Sequence, residues 1–324
     1  MINLMNDIYY SDEYISLYLK DNEELFRFEY KEGEKIFINK TIKRPILNIG
    51  TTPINDGFFD LETAYGYGGF YTNSEDSVFV ENAIQKYYEK CVNENIVAEF
   101  IRFHPFNDFP LIYKNYLEFN IYDREVVVKN LTENIFTSYV SKVRNTVKRA
   151  REKVSINESN NLDKFIELYN KTMKKNDATD FYFFKKEYYE KLLQNDNVKL
   201  YEVIFEDSII AMGFFMYGRD ICHYHLSANT DMSYKLNSNY ALLDYIFNIA
   251  KEKGIKYVLL GGGTTSHKDD KLLKFKQKFS KDLKPFYISG KIYNKEIYNK
   301  YNQIWQEQSK EDVKYFLKYR LEIK

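Results

Sequence analysis

A short apolar run, Tyr257 to Leu260, leads directly into Gly261, Gly262 and Gly263, and no other stretch restricts the fold so strongly. A run this short and this apolar reads as a buried strand. It ends where a backbone without Cβ can turn in any direction and be approached closely by a ligand. A polar loop follows, then a helix opened by Asp269 or Asp270, either of which can cap it. On that helix Leu272, Phe275 and Phe279 recur at helical spacing and are expected to face the core. Lys274, Lys276 and Lys278 are left to point elsewhere. Strand, glycine break and basic helix together form a place where a negatively charged group can be held against backbone N–H groups and a lysine.

The elements before this stretch follow a readable order. Leu162, Phe165, Ile166, Tyr169 and Met173 mark one amphipathic helix, and Phe184 to Leu193 a second. Val198 to Phe205 and Ile209 to Tyr217 read as strands joined by the tight turn Glu206 to Ser208. A strand over Ile221 to Ala228 and a helix over Tyr240 to Lys253, stopped at Gly254, come next. Pro285 to Ser289 is expected to be a last strand, and Gly290 to Lys324, with Trp305, mostly helical. Nearer the N-terminus, Phe26 to Tyr30 alternates, turns at Lys31 to Glu34 and returns from Lys35 to Ile38. Gly50 to Asp60 is loop, and Ala64 to Phe70 is a glycine–aromatic loop. Val78 to Val92 reads as a helix, Ile96 to Phe103 and Ile121 to Val128 as strands. A chain of 324 residues exceeds what a single core usually accommodates, so an α/β protein of two domains is expected.

Aromatic residues make up 18% of the chain, which argues against disorder. The 47 basic and 47 acidic residues cancel, so no global field draws the protein to nucleic acid or anionic membrane. Any site for a polyanion is local. Cys91 and Cys222 match no metal or redox motif and are expected to be reduced thiols. The N-terminus shows no signal peptide. The longest nearly apolar run, Ile209 to Tyr217, is about half of the roughly 20 residues that span a bilayer. The expectation is a cytoplasmic protein with no membrane-spanning segment.

Several residues stand out chemically. Asn134 to Glu152 reads as one helix, with Val140, Val143, Val147 and Ala150 as its buried stripe. Arg144, Lys148 and Arg151 line the flank of that stripe. They are either a grip for a phosphate or a solvated face whose stems lie over the core. Tyr65, Gly66, Tyr67, Gly68 and Gly69 suit the wrapping of a sugar or nucleotide, with tyrosines stacking and glycines permitting close approach. Arg102 and His104 share one strand face ahead of Pro105, beside a possible cleft or in a core or edge role. His223 and His225 also share a strand face. A metal there would need a third ligand from His104, His267 or a carboxylate, and no metal is expected. His225 is read as positioning the acceptor, or as a base with a pKa near neutrality, against the plain alternative of a packed strand histidine. No Ser/His/Asp order or activated cysteine is present, so transfer is expected to be direct, without a covalent enzyme intermediate.

Two helices, an antiparallel meander, then helix, strand, helix and strand is the element order of the GNAT acyltransferase fold. Six stretches add to this: Tyr65 to Gly69, Phe100 to Pro105, Val143 to Ala150, His223 to Ser227, Leu260 to Gly263 and Phe275 to Phe279. Together they resemble the FemABX-like branch of the GNAT superfamily, over about residues 60 to 290. Some members of that branch add amino acids from aminoacyl-tRNA to peptidoglycan precursors, and relatives sit with surface-polysaccharide enzymes. The resemblance implies two GNAT-like domains, each a mixed central sheet flanked by helices: 1–133, with the C-terminal helix 290–324 returning to it, and 134–289, carrying the transfer site. It also implies a Phe–Lys pair, here Phe275 and Lys276, whose lysine stabilises the charge developing on the acyl carbonyl, an oxyanion role.

The expected function is therefore acyl or aminoacyl transfer to an amine or hydroxyl on a nucleotide-sugar or lipid-linked precursor of the cell envelope. Lys276 would stabilise the oxyanion, His225 or a substrate phosphate would take the proton, and Arg144, Lys148 and Arg151 would hold a diphosphate. The donor is acyl-CoA or aminoacyl-tRNA, with no permanently bound cofactor. Acetyl-CoA-dependent GNAT enzymes carry a glycine-containing loop that holds the CoA pyrophosphate at a helix N-terminus. The corresponding segment, Lys235 to Tyr240, has no glycine. An acetyl-CoA-dependent N-acetyltransferase of a small amine or amino-sugar and a non-catalytic glycan-binding module are the alternative readings.

Overall fold

The computed structural model describes residues 2–177, 179 and 182–323. The chain divides into two compact units: Met1–Met5, Tyr9–Asp123 and Pro285–Lys324 form the first, and Asn6–Ile8 with Arg124–Lys284 the second. The divisions at 123/124 and 284/285, where the sequence reading drew them at 133/134 and 289/290, run through two long strands that continue past them.

The first unit opens with α1 (Asp12–Ser16), β1 (Glu24–Glu32) and β2 (Lys35–Pro45). β1 and β2 form the expected hairpin, Glu32 opposite Lys35, with Gly33 at φ 57° in the turn. The region read as loop holds the two-residue pair β3 (Asn48–Ile49) and β4 (Thr52–Pro53), then β5 (Phe59–Glu62). β6 (Tyr71–Thr72), α2 (Ser77–Asn93), β7 (Ile96–Arg102) and α3 (Phe109–Ile112) follow. α2 starts where the Asp76 side chain accepts from the N–H groups of Val78 and Phe79.

The second unit begins along β8 (Phe119–Asn130) and continues through α4 (Ile135–Ser138), α5 (Ser141–Arg151), β9 (Ser155–Ser159), α6 (Leu162–Lys175) and α7 (Lys186–Gln194). Then come β10 (Val198–Phe205), β11 (Ser208–Tyr217), β12 (Ile221–Asn229), α8 (Asp231–Leu236), α9 (Ser238–Glu252), β13 (Tyr257–Gly261) and α10 (Lys271–Lys276). β14 (Asp282–Ile292) leads back into the first unit, which α11 (Lys295–Gln308) completes.

Each unit is a mixed sheet with helices on both faces. In the first, the order is β1-β2-β5-β7-β14, with β5 and β7 parallel and the other pairs antiparallel. Ile101 and Phe103 join α2 in one core, while Ala98 and Phe100 join Trp305 and Tyr301 of α11 in another. Glu99 is completely buried. It accepts hydrogen bonds from Asn39 Nδ2 (2.7 Å), Tyr87 Oη (2.9 Å) and Tyr293 Oη (2.8 Å), and burial pushes its carboxyl up to about 7.

In the second unit the order is β8-β13-β12-β11-β10-β9, with only β12 and β13 parallel among these pairs. Phe215 faces the core made with α5 and α9, and Phe214, one residue earlier, packs on Phe165 of α6 and Tyr189 of α7. The β10–β11 turn places Glu206 and Asp207 at φ 45° and 58°, the left-handed pair that matches strand twist. Gly254, at φ 78°, ends α9 as expected.

Three expectations are corrected. The single helix over 134–152 is broken into α4 and α5 because Tyr139 and Val140 are extended. Tyr139 turns inward, where its hydroxyl donates to Asp244 Oδ1 at 3.0 Å, and Val140, read as part of the buried stripe, is 59% exposed. Gly290 to Lys324 is less helical than expected. After α11 the chain runs irregularly so that Leu321 O can accept from Trp305 Nε1 (3.0 Å) and Arg320 can reach buried Asp60 (2.7 Å). On α10 it is Leu273, not Leu272, that faces inward, Leu272 being 38% exposed.

Candidate transfer site

Lys276 is buried, 7% exposed, although the alternation of α10 suggested an outward lysine. The helix is only six residues long, and position 276 shares its buried face with Leu273, three residues earlier. The ammonium or amine Nζ donates to Gly262 O at 2.6 Å. Arg124, from β8, donates through Nη1 to the next carbonyl, Gly263 O, at 3.1 Å. Burial pulls the Lys276 amine down to about 7; Asp270 opposes this and Arg124 adds to it.

The glycine bend therefore works differently from the anion cradle read in the sequence. Its carbonyls face two cations, and the N–H groups at the start of α10 are already taken. Asp270 caps the helix by accepting from Leu272 N and Leu273 N, each at 2.9 Å, and also takes Thr264 Oγ1 (2.6 Å), Thr265 N (3.1 Å) and Thr265 Oγ1 (3.2 Å). These donors hold its carboxyl well below the usual carboxylate range although burial opposes them. The anion in the cradle is the chain's own. Gly261 lies at φ 75°; a Cβ on Gly262 would stand 2.9 Å from Arg124 Cδ, and one on Gly263 2.3 Å from Asp270 Oδ1. Phe275 packs edge-on to Tyr240 (5.4 Å) and Phe279 (5.4 Å), which fixes α10 against α9.

His225 is half-buried on β12, with Nε2 at 2.8 Å from Tyr188 Oη. Burial, with a smaller contribution from His223, pushes its imidazole down to about 3. The expectation of a base with a pKa near neutrality is overturned: desolvation outweighs any stabilisation of the imidazolium. His223 is buried with Nε2 at 2.7 Å from Asp7 Oδ2.

The three flank cations of α5 do not act as a set. Arg144 donates to Thr137 O (3.3 Å) and Tyr139 O, carbonyls at the break between α4 and α5. Arg151 pairs with buried Asp244 at 2.9 Å. Both help to hold α4, α5 and α9 together. Lys148 is exposed, and the outward face is lined instead by Ser141, Lys142, Asn145, Thr146 and Arg149.

In the first unit, Tyr65, Gly66, Tyr67, Gly68 and Gly69 form the expected loop, but the glycines make room for the chain's own rings. Gly66 sits at φ 93° and a Cβ there would lie 2.3 Å from Tyr9 Cε1; at Gly69, φ 86°, it would lie 2.7 Å from Phe103 Cδ1. Gly68 O accepts from Tyr10 Oη at 2.8 Å. Tyr67 meets Tyr9, His104 and Phe286 edge-on, and Tyr65 stacks on Tyr18. Gly66→Ala is expected to destabilise the protein by about 3 kcal/mol, from positive φ and overpacking together. Urea denaturation checks this, and an unchanged midpoint would contradict the packing. Arg102 is ion-paired to Glu62 (2.8 Å) and donates to Thr63 O (2.9 Å), and buried His104 accepts at Nδ1 from Phe106 N (3.2 Å). The expected cleft pair is thus an internal brace.

The sequence model of the acetyltransferase (GNAT) domain matches residues 138–269, ending just before Asp270. No curated protein matches the sequence. A crystal structure of FemX is similar over 92% of this chain and 94% of its own, with a TM-score of 0.70 and 12% identity. The C-terminal domain of a putative lysylphosphatidylglycerol synthetase from Agrobacterium fabrum is similar over 84% of this chain and 85% of its own, at a TM-score of 0.53 and 13% identity. For L-PGS from Bacillus licheniformis the shares are 82% and 83%, with a TM-score of 0.52 and 14% identity.

The two mixed-sheet units and the matched domain define a GNAT-type acyltransferase. Within that superfamily the chain shares the fold of FemX along nearly its whole length. Among the described residues no helix is long and apolar enough to cross a membrane.

Arg124 and Asp270 belong to this site without being marked as site residues by the sequence. Asp270 was legible as a cap but not as the anion of the bend. Arg124 carries no local signal, since only the pairing of β8 with β13 brings it to Gly263.

Proposed function

We propose that this acyltransferase moves an acyl or aminoacyl group onto an amine or hydroxyl of a nucleotide-sugar or lipid-linked precursor of the cell envelope. The observation that carries the reading is the buried Lys276, anchored on Gly262 O where β13 ends. A cation held there by packing is preorganised for charge growing on an acyl carbonyl, and its low-dielectric surroundings strengthen that attraction. The likeness to FemX, and to structures named for lysylphosphatidylglycerol synthesis, supports an envelope acceptor and an aminoacyl donor.

The donor is aminoacyl-tRNA in preference to acetyl-CoA. The segment that would carry a pyrophosphate loop is instead the end of α8 and the start of α9, with only Asn237 between them. Ser233 and Ser238 are buried and their hydroxyls lie 2.7 Å apart, so α8 covers the N-terminus of α9. The enzyme works in the cytoplasm without a permanently bound cofactor. The test is a transfer assay read by mass spectrometry, offering aminoacyl-tRNA and acyl-CoA donors with UDP-sugar and lipid-linked acceptors. Isothermal calorimetry with CoA is expected to show no binding. Tight CoA binding and acetylation of a small amine would replace this reading with the acetyl-CoA-dependent one.

A further inference from the structure

Arg124 and Lys276 approach adjacent peptides of the glycine bend from different elements, one from β8 and one from α10. Their hydrogen bonds to Gly263 O (3.1 Å) and Gly262 O (2.6 Å) fix two basic side chains on consecutive carbonyls. The charged groups around the Lys276 amine are Arg124 and the N-cap Asp270. Asp270 is saturated by donors from its own loop and helix, and Arg124 brings a guanidinium to the bend.

We propose that Arg124 is a positioning residue of the transfer site: it braces the glycine bend through Gly263 O and sets a permanent charge beside Lys276, so that the Lys276 amine takes up the acceptor's proton. The inference rests on the acyl-transfer reading and assigns the proton that His225 is too weakly basic to take. The acceptor's N–H or O–H attacks the acyl carbonyl, the new N–C or O–C bond forms, and the proton passes to Lys276 Nζ. The resulting ammonium stands beside the oxyanion. On collapse the bond to the donor's oxygen or sulfur breaks, and that atom leaves with the proton from Lys276. One side chain thus serves as base first and as cation afterwards. The lowered proton affinity of the buried amine agrees with this order.

The titration needs no substrate, and the transfer assay of Lys276→Ala accompanies it. In protein labelled with 13C at lysine Cε, the Lys276 signal, assigned by its loss in Lys276→Ala, is titrated by NMR from pH 5 to 10. The wild-type midpoint is expected near neutrality. In Arg124→Gln it rises by about one pH unit or more, and in Arg124→Lys it stays close to wild type. Arg124→Met, which keeps the aliphatic stem, replaces Arg124→Gln if the latter does not fold. A midpoint unchanged by loss of the Arg124 charge, or a wild-type midpoint near that of free lysine, overturns the role of Arg124 while an inactive Lys276→Ala still upholds the transfer reading. A fully active Lys276→Ala overturns both.

Discussion

Replacing Lys276 with alanine leaves the protein folded and lowers acyl transfer by at least about a hundredfold. The loss falls on kcat, because the interaction strengthens only as negative charge develops on the carbonyl. Folding survives because the buried amine is a burden on the native state. Its folded pKa of about 7 lies well below the free-lysine value near 10.5. Between those values the unfolded chain binds more protons, so stability rises with pH across that window. Below about pH 7 the amine is charged in both states, and the native state bears the whole desolvation penalty, about 5 kcal/mol. Lys276→Met, which fills the same space without a charge, is therefore expected to gain most over wild type below pH 7 and least in alkaline solution. Urea denaturation at pH 6 and pH 9 measures this. Full turnover in Lys276→Ala would remove the lysine from the chemistry.

The second large effect lies in the core of the first unit. Glu99→Gln changes how stability depends on pH. The Glu99 carboxyl titrates at about 7 in the folded protein, against 4.5 when exposed, because burial outweighs its three hydrogen-bond donors. As pH rises through this window the unfolded chain releases the proton first, so the native state loses stability, by about 3 kcal/mol in total. Glutamine has no proton to release. The difference in unfolding free energy between Glu99→Gln and wild type is expected to move in favour of the variant by that amount between about pH 4.5 and pH 7, whatever its offset at low pH. Parallel pH profiles for the two proteins would show that Glu99 is ionised in the native state.

Much of this fold is written in local periodicity. The hairpin of β1 and β2, the span of α2, and the meander of β10, β11 and β12 follow from alternation, helical spacing and turn residues. So does the halt of α9 at Gly254. The departures come where a tertiary contact overrides the local pattern. Tyr139 breaks a helix that its neighbours would continue, because its hydroxyl meets Asp244 from α9. The glycines at 66 and 69 were legible as positions of close approach, but the approaching groups are Tyr9 and Phe103, not a ligand.

By itself the sequence determined the order of elements, the α/β class, the glycine bend after β13 and a lysine on the helix that follows it, because these depend on residues near one another in the chain. Only the tertiary structure decided what surrounds that lysine. Its burial, its hold on Gly262 O and the arrival of Arg124 depend on pairing between β8 and β13, whose residues are far apart in sequence. Charge at a site is set by solvent exclusion and by neighbours in space, and neither has a local signature.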